Sequence, residues 1–391
     1  MSLGNSLYKN LKGDKVIWMI VALLSIISVL VVYSATEAIA FKYRLGNTES
    51  YLFKHLGTLL LGGFLLYLCY AMHYHRFKVA APYLLVVAAL LLIYTLVLGP
   101  TINEARRWIQ VPIIGLTFQT SDFAKIALVL FVAREITRHK DYIKDFNKAF
   151  KPIIVPIIII CGLIAPSDLS TAIMLFVTTA TMMFVGRVDL KYIGLLLVLG
   201  VVLFAFLILL GDLFPDLVRR QTWISRMREF LHGGGNEYHL EQFKMAISNG
   251  KVFGVGPGNS VIANTIPHPY SDSVYGTIME EYGLFGGFVV LALYVLMFFR
   301  VGSIMTKSDK SFGALVVMGL GLSLVMQAFV NMAVAVDLVP VTGQPLPLVS
   351  MGGTSIMFTC ISIGMILSVS KYVEKSNKNS KQANTDNEST D

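Results

Sequence analysis

The residues best equipped for chemistry lie in one polar stretch, Lys251–Gly287, KVFGVGPGNSVIANTIPHPYSDSVYGTIMEEYGLFGG. It places a glycine-rich turn, a proline-constrained segment and then Asp272 before a hydrophobic helix that also carries Glu280 and Glu281. Carboxylates at membrane depth are costly in lipid, so three in so short a span point to a water-filled or protein-lined site. An ionised carboxylate at a lipid–water boundary can take a proton from a sugar hydroxyl while basic residues neutralise a phosphorylated leaving group. If Ser271 caps the following helix, the helix end favours ionised Asp272 but limits its strength as a base; closing that helix is the plainer use of the same acid. Glu280 and Glu281 point in different directions, so at most one shares a side with Asp272. The run VFGVGPGNS lacks the Lys-Ser/Thr of a P-loop and any βαβ context, and reads as a tight turn.

Three further clusters could serve the same site. In Asn103–Lys125, Arg106, Arg107 and Trp108 occupy a short re-entrant-looking loop, and Asp122 and Lys125 open the next helix. These last two stand three apart and can pair on one helical face, so an interfacial belt with a structural ion pair competes with a binding role. In Ala165–Ala172, Asp168 sits between two apolar helices, where it can cap the second or wall a polar pocket. Val339–Ser355, VPVTGQPLPLVSMGGTS, is a Pro- and Gly-rich re-entry, and nonhelical backbone at membrane depth is tolerated only against protein or water. It could line the same cavity as Asp272. Gln327 and Asn331, four apart, can project together and hydrogen-bond across the bundle.

The elements that must position these groups are membrane helices. Of 391 residues 55% are hydrophobic and only 14% charged, with a mean hydropathy of +0.67, too apolar for a soluble chain of this length. Apolar runs of roughly 20 residues are long enough to cross a bilayer as helices. The expected fold is an all-α polytopic membrane protein with about ten spans: 16–36, 51–72, 80–98, 121–138, 152–165, 168–186, 190–210, 273–299, 312–336 and 351–370. Val16–Tyr33 is read as a retained first helix rather than a cleaved signal, because no small-residue cleavage site follows it cleanly. The fifth span is short and carries Pro152 and Pro156 in its first turns, so a tilt or a break across Pro166 is expected.

A cytoplasmic N-terminus, residues 1–15, puts Arg134, Arg138, Lys140, Lys144, Lys148, Lys151, Lys307, Lys310, Lys371, Lys375 and Lys378 on one side, as the positive-inside rule requires. The membrane body then runs over 16–371, including one long extracytoplasmic loop at 211–272, and 372–391 is a polar tail expected to be disordered and cytoplasmic. Within the loop, Pro215–Leu231 reads as amphipathic, with Trp223, Met227 and Phe230 on one face and Arg219, Arg220, Arg226 and Arg228 wet. Gly233–Gly235 ends it, and Glu241–Ser248 forms a further helical turn or two. The net charge of +8 follows from basic loops that orient the chain and does not indicate nucleic-acid binding. Cys69, Cys161 and Cys360 lie in apolar stretches and read as core fillers. No metal-ligand spacing is present, which leaves a divalent ion at a pyrophosphate without assignable ligands.

Taken together, these motifs resemble the SEDS family of cell-wall glycan polymerases over about residues 12–371. The resemblance rests on Ala105–Ile109 (ARRWI), Phe118–Lys125 (FQTSDFAK), Asp168–Ala172 (DLSTA), Gly254–Ser260 (GVGPGNS), Tyr270–Gly286 (YSD…EEYGLFG) and Leu346–Ser355 (LPLVSMGGTS). Thr120-Ser121-Asp122 stands where the family usually has Pro-Ser-Glu, the proline usual immediately before the acid at 168 is displaced to Pro166, Ser170 replaces a glycine and Ser273 replaces Phe. The resemblance implies a peptidoglycan glycosyltransferase that joins lipid-linked disaccharide-pentapeptide (lipid II) at the outer face of the bacterial cytoplasmic membrane. Asp272 would activate the acceptor hydroxyl, with Arg107 and Lys125, then Arg219 or Arg220, beside the pyrophosphate; Asp168, Glu280 and Ser350 complete the implied substrate contacts. It also implies a class B penicillin-binding protein and other division proteins as partners, and no required cofactor. The GPGNS and YSD forms favour the division branch, at the septum, over the elongation branch. A lipid II flippase, a noncatalytic division scaffold and a solute transporter are the competing functions.

Overall fold

The computed structural model describes residues 12–42, 48–100, 106–111, 116–213, 218–232, 238–261 and 270–388. Thirteen α-helices lie among the described residues: α1 (Lys15–Lys42), α2 (Thr48–Ala71), α3 (His75–Leu98), α4 (Thr120–Arg138), α5 (Lys151–Ile164), α6 (Leu169–Val185) and α7 (Leu190–Leu213) come first. They are followed by α8 (Arg220–His232), α9 (Tyr238–Gly250), α10 (Val274–Glu281), α11 (Gly283–Thr306), α12 (Ser311–Ala335) and α13 (Thr354–Glu388). Between α3 and α4 a two-stranded antiparallel hairpin, β1 (Trp108–Val111) and β2 (Leu116–Gln119), pairs Trp108 with Gln119. It occupies the segment that the sequence presents as a re-entrant loop.

Eight helices among the described residues are long and apolar enough to span a membrane, so the chain is a multi-pass helical membrane protein. The two other expected spans, 121–138 and 168–186, fall outside that set for different reasons. The first, α4, carries Asp122, Lys125, Arg134, Glu135 and Arg138 yet is buried along most of its length, a charged helix sheltered by its neighbours. The second, α6, is apolar but only 17 residues long. The short fifth span is lengthened by a π-helical turn, Phe146–Phe150, that joins α5 and gives an apolar stretch over Phe146–Ile164. Pro152 sits at the start of α5, where its missing N–H costs nothing, and Pro156 lies within the helix.

The centre of the bundle is α12 and α13, whose spanning windows are 67% and 72% buried, against 11% for the peripheral α7. The α2–α13 contact is set by small residues. A Cβ on Gly364 would lie 2.4 Å from the Leu66 carbonyl oxygen, and one on Gly62 would lie 2.9 Å from Cys360 Sγ, the close backbone approach that drives helix association in lipid. Cys360 and Cys161 are buried and unpaired, and Cys69 is partly buried and unpaired, as packing residues would be.

At the far end from Asp272, Asp14 accepts hydrogen bonds from the Val16 and Ile17 amides at the start of α1. Arg300 of α11 donates to its other oxygen through Nε at 2.9 Å, and the Asp14 amide donates to Ser370 Oγ of α13 at 2.9 Å. Beyond residue 371, where the sequence suggests a disordered tail, α13 continues to Glu388, through a stretch that has no Gly or Pro to stop it.

Candidate functional site

The loop between α7 and α10 supplies one wall of the site. Its amphipathic helix is α8, and Thr222, Ser225, Arg226, Glu229 and Phe230 of α8 face a cavity of ≈ 790 Å³. The residues 222, 226 and 229 follow the i, i+4, i+7 spacing of one helical face. Tyr51, Lys54 and Thr58 of α2 line the same cavity, as do Arg107 and Trp108 at the hairpin, Tyr270–Ser273, Asn331, Val339–Pro345 and Met351–Gly353. The Pro- and Gly-rich re-entry thus lines the cavity that contains Asp272, as its composition suggests. Gly233–Gly235 lies outside the described residues, and the expected turns at 241–248 belong to the longer α9.

Asp272 is exposed to the cavity. Ser271 Oγ donates to its Oδ1 at 2.8 Å, and a Cβ on Gly343, a residue with φ +67°, would stand 3.4 Å from its Oδ2. Ser271 therefore does not cap the next helix: the residue preceding α10 is Ser273, which makes no side-chain cap. Freed from capping, the Asp272 carboxylate is turned to the cavity. Its backbone is stapled at three successive carbonyls. Met351 N donates to Tyr270 O at 2.9 Å, Ser350 Oγ to Ser271 O at 2.6 Å, and Asn331 Nδ2 to Asp272 O at 2.9 Å.

Asp168 has the opposite surroundings. It is buried and caps α6 by accepting from Thr171 N at 3.1 Å. Arg107 Nη1 pairs with Oδ2 at 3.0 Å, and Gln344 Nε2 reaches both carboxylate oxygens at 3.2 and 3.3 Å. Of the two accounts the sequence offers for this acid, capping is realised; Asp168 does not itself line the cavity but holds Arg107 and Gln344, which do. Arg107 also lies 6.0 Å from the Trp108 ring centroid, at the limit of a cation–π contact. Its Nε is buried without a hydrogen-bond partner.

The other residues singled out in the sequence are placed elsewhere. Lys125 pairs with Asp122 at 2.8 Å and donates to Gln327 Oε1 at 3.1 Å, in a small separate pocket beneath the main one. Gln327 in turn donates to Pro345 O at 2.8 Å, so Lys125 supports the re-entry from below. Arg220 pairs with Asp212, and neither it nor Arg219 lines the cavity. Arg219 donates its backbone amide to Pro166 O at 3.3 Å. Ser350 staples Ser271 and accepts from Leu346 N at 2.8 Å, acting on backbone rather than lining the cavity.

Glu280 and Glu281 are both buried and neither reaches the cavity. Glu280 accepts from Ser260 Oγ at 2.6 Å, and Glu281 accepts from Ser34 Oγ at 2.5 Å and from Gly258 N at 3.2 Å. The glycine turn is the reason: Gly254, Gly256 and Gly258 have φ of 84°, 92° and 82°, a path that glycine follows without strain. The two acids hold this turn against α1.

Lys54 and Gln344 are site residues that the sequence reading did not name, and Arg226, expected there only as a wet residue opposite Phe230, instead lines the cavity with it. Arg226 Nη1 donates to Val341 O at 3.1 Å. Burial, and behind it the Arg107 guanidinium, lowers the Arg226 pKa from its ordinary value, while Asp168, Asp272 and Glu229 pull it back up. Two guanidiniums and three carboxylates thus share one field at the mouth of the bundle. The i, i+4, i+7 pattern was the available signal for Arg226. Gln344 had none, because its side-chain partners lie 173 and 176 residues away.

A polytopic helical bundle with a polar cavity at one end, lined by the acids Glu229, Asp272 and Asp337 and the cations Lys54, Arg107 and Arg226, defines a multi-pass membrane protein with a charged site at one end of its helices. The sequence model of the FtsW/RodA/SpoVE family, described as cell cycle proteins, matches residues 14–375, and the chain belongs to this family. It is 32% identical over 366 residues, 91% of this chain and 96% of the relative, to a probable peptidoglycan glycosyltransferase FtsW of Coxiella burnetii. A probable peptidoglycan glycosyltransferase FtsW of Haemophilus influenzae is 30% identical over 363 residues, 91% of this chain and 90% of the relative. Among solved structures, a chain of a peptidoglycan synthase complex, described for its coordination of polymerization and crosslinking, superposes with a TM-score of 0.71 at 24% identity, covering 92% of this chain and 98% of that one. The rod shape determining protein RodA of Thermus thermophilus gives 0.66 at 22% identity, covering 93% and 98%. The SEDS resemblance carried by the sequence motifs is thereby shown.

Proposed function

We propose that the chain polymerises lipid II into glycan strands for the division septum, with Asp272 as the general base. The carrying observation is that the exposed Asp272 carboxylate and the Arg107 and Arg226 guanidiniums line one ≈ 790 Å³ cavity. In this reading Asp272 takes the proton of the acceptor sugar hydroxyl as its oxygen attacks the anomeric carbon of the growing chain. The bond from that carbon to the pyrophosphate breaks, and undecaprenyl pyrophosphate leaves with the bonding electron pair. Arg107, with Nε unspent, and Arg226 neutralise the developing charge. Lys54, exposed on the α2 wall, is a third cation within the same cavity, whereas Lys125 acts by bracing the re-entry.

Residues at the opposite helix ends, 73–79, 139–151, 187–189 and 300–311, do not line the cavity. That one-sidedness favours chemistry at one membrane face over passage of a lipid across it. With both termini in the cytoplasm, the cavity faces outward, where a class B penicillin-binding protein would crosslink the product. The test is glycan synthesis from purified lipid II by the full chain with its cognate penicillin-binding protein, comparing wild type with Asp272→Asn. Labelled precursor that crosses vesicles without glycan being made would sink the polymerase reading.

A further inference from the structure

We propose that Asn331 is a positioning residue for Asp272, an inference that rests on Asp272 being the base. Both hydrogens of its side-chain amide are spent on carbonyls: Asp272 O at 2.9 Å and Gln344 O at 2.7 Å. One rigid planar group on the central helix α12 therefore sets the distance between the residue carrying the base and the re-entrant loop. The neighbour of Gln344 in that loop is Gly343, whose missing side chain leaves the space beside Asp272 Oδ2. Asn331 thus fixes the carboxylate's backbone and the wall that its free oxygen faces.

The same link continues to the cation side. Gln344 spends its own amide hydrogens on Thr171 Oγ1 at 2.9 Å and on the Asp168 carboxylate, and Asp168 holds Arg107. Base and leaving-group cation are joined through Asn331 and Gln344, two neutral amides that order both partners without adding charge between them. Asn331 is 3% exposed, and its Oδ1 receives no hydrogen bond. Two flanking acceptors therefore fix which way the amide faces, since reversing it would set oxygen against two oxygens. A base displaced by about 1 Å loses on the order of 10²-fold in rate while the substrate is still bound.

The experiment uses the full chain in lipid vesicles with its cognate penicillin-binding protein and purified lipid II. Asn331→Leu, similar in shape but without donors, is expected to lower kcat on the order of 10²-fold and to leave KM within about threefold. Asn331→Ser, able to make one of the two bonds, should fall between Asn331→Leu and wild type. An unchanged kcat in Asn331→Leu overturns the proposal. So does a parallel loss of kcat, substrate binding and thermal stability, or loss of folded protein in both variants, because each marks a merely structural clamp. Asp272→Asn run alongside separates the two readings. If it retains wild-type turnover the base assignment fails, whereas an inactive Asp272→Asn beside a fully active Asn331→Leu refutes the positioning role alone.

Discussion

Asp272 stands in the cavity and Asp168 lies behind its wall, bonded to Arg107 and Gln344, and the two acids differ in nearly everything else. Asp168 is buried, and its oxygens are taken by a helix amide, a guanidinium and a glutamine amide. Asp272 is exposed, with a single serine hydroxyl on one oxygen, while its immobilisation is left to backbone bonds on three consecutive carbonyls. The contrast shows how a membrane protein can assign different work to the same side chain. Saturating the carboxylate makes a structural anchor; holding only the backbone leaves an acid oriented but chemically available.

The largest effect should come from the available acid. Asp272→Asn is expected to cut glycan synthesis on the order of 10²- to 10⁴-fold, the range for loss of a general base, with an unchanged thermal melt; a near-normal rate erases the distinction. Asp168→Ala should show the reverse emphasis, a lower melting temperature reflecting about 3–5 kcal/mol for a buried ion pair that has lost one member. A melt equal to wild type would mean that Arg107 finds another anion. Next in size, Arg226→Ala should raise KM for lipid II by about tenfold, in keeping with one charge-assisted hydrogen bond. Lys125→Met should instead lower stability at constant KM, and a KM effect there would return Lys125 to the cavity. The smallest change is Gly343→Ala, expected to cost about 1–2 kcal/mol because its φ of +67° is unfavourable for a side chain. Calorimetry checks it, and Gly343→Asn should be milder, since Asn tolerates that region better.

What could be read from the sequence was what the chain keeps local. Apolar runs marked the membrane helices, the re-entry declared itself by Pro and Gly, and Asp272 stood out as an acid at the start of a hydrophobic segment. Helix α4 was placed correctly along the chain, but its charges make sense only once its buried setting is seen. Residues whose meaning depends on distant partners were hidden. Lys125 looked like a substrate cation until its bond to Gln327, 202 residues away, put it under the cavity floor. Glu280 resembled a site acid, but Ser260 holds it within the glycine turn. Local spacing reports what a residue can reach along its own helix, and these contacts are made through the third dimension.

The Asp14 junction has a mechanical consequence. It fastens α1, α11 and α13 to one another at the end remote from the cavity. Ser34 ties the other end of α1 to Glu281 and Tyr294 ties α11 to the re-entry at Pro347, so these helices are held at two points rather than hinged at one. Any sideways give at the mouth must therefore come from bending between two fixed points, not from rocking about the charged knot at Asp14.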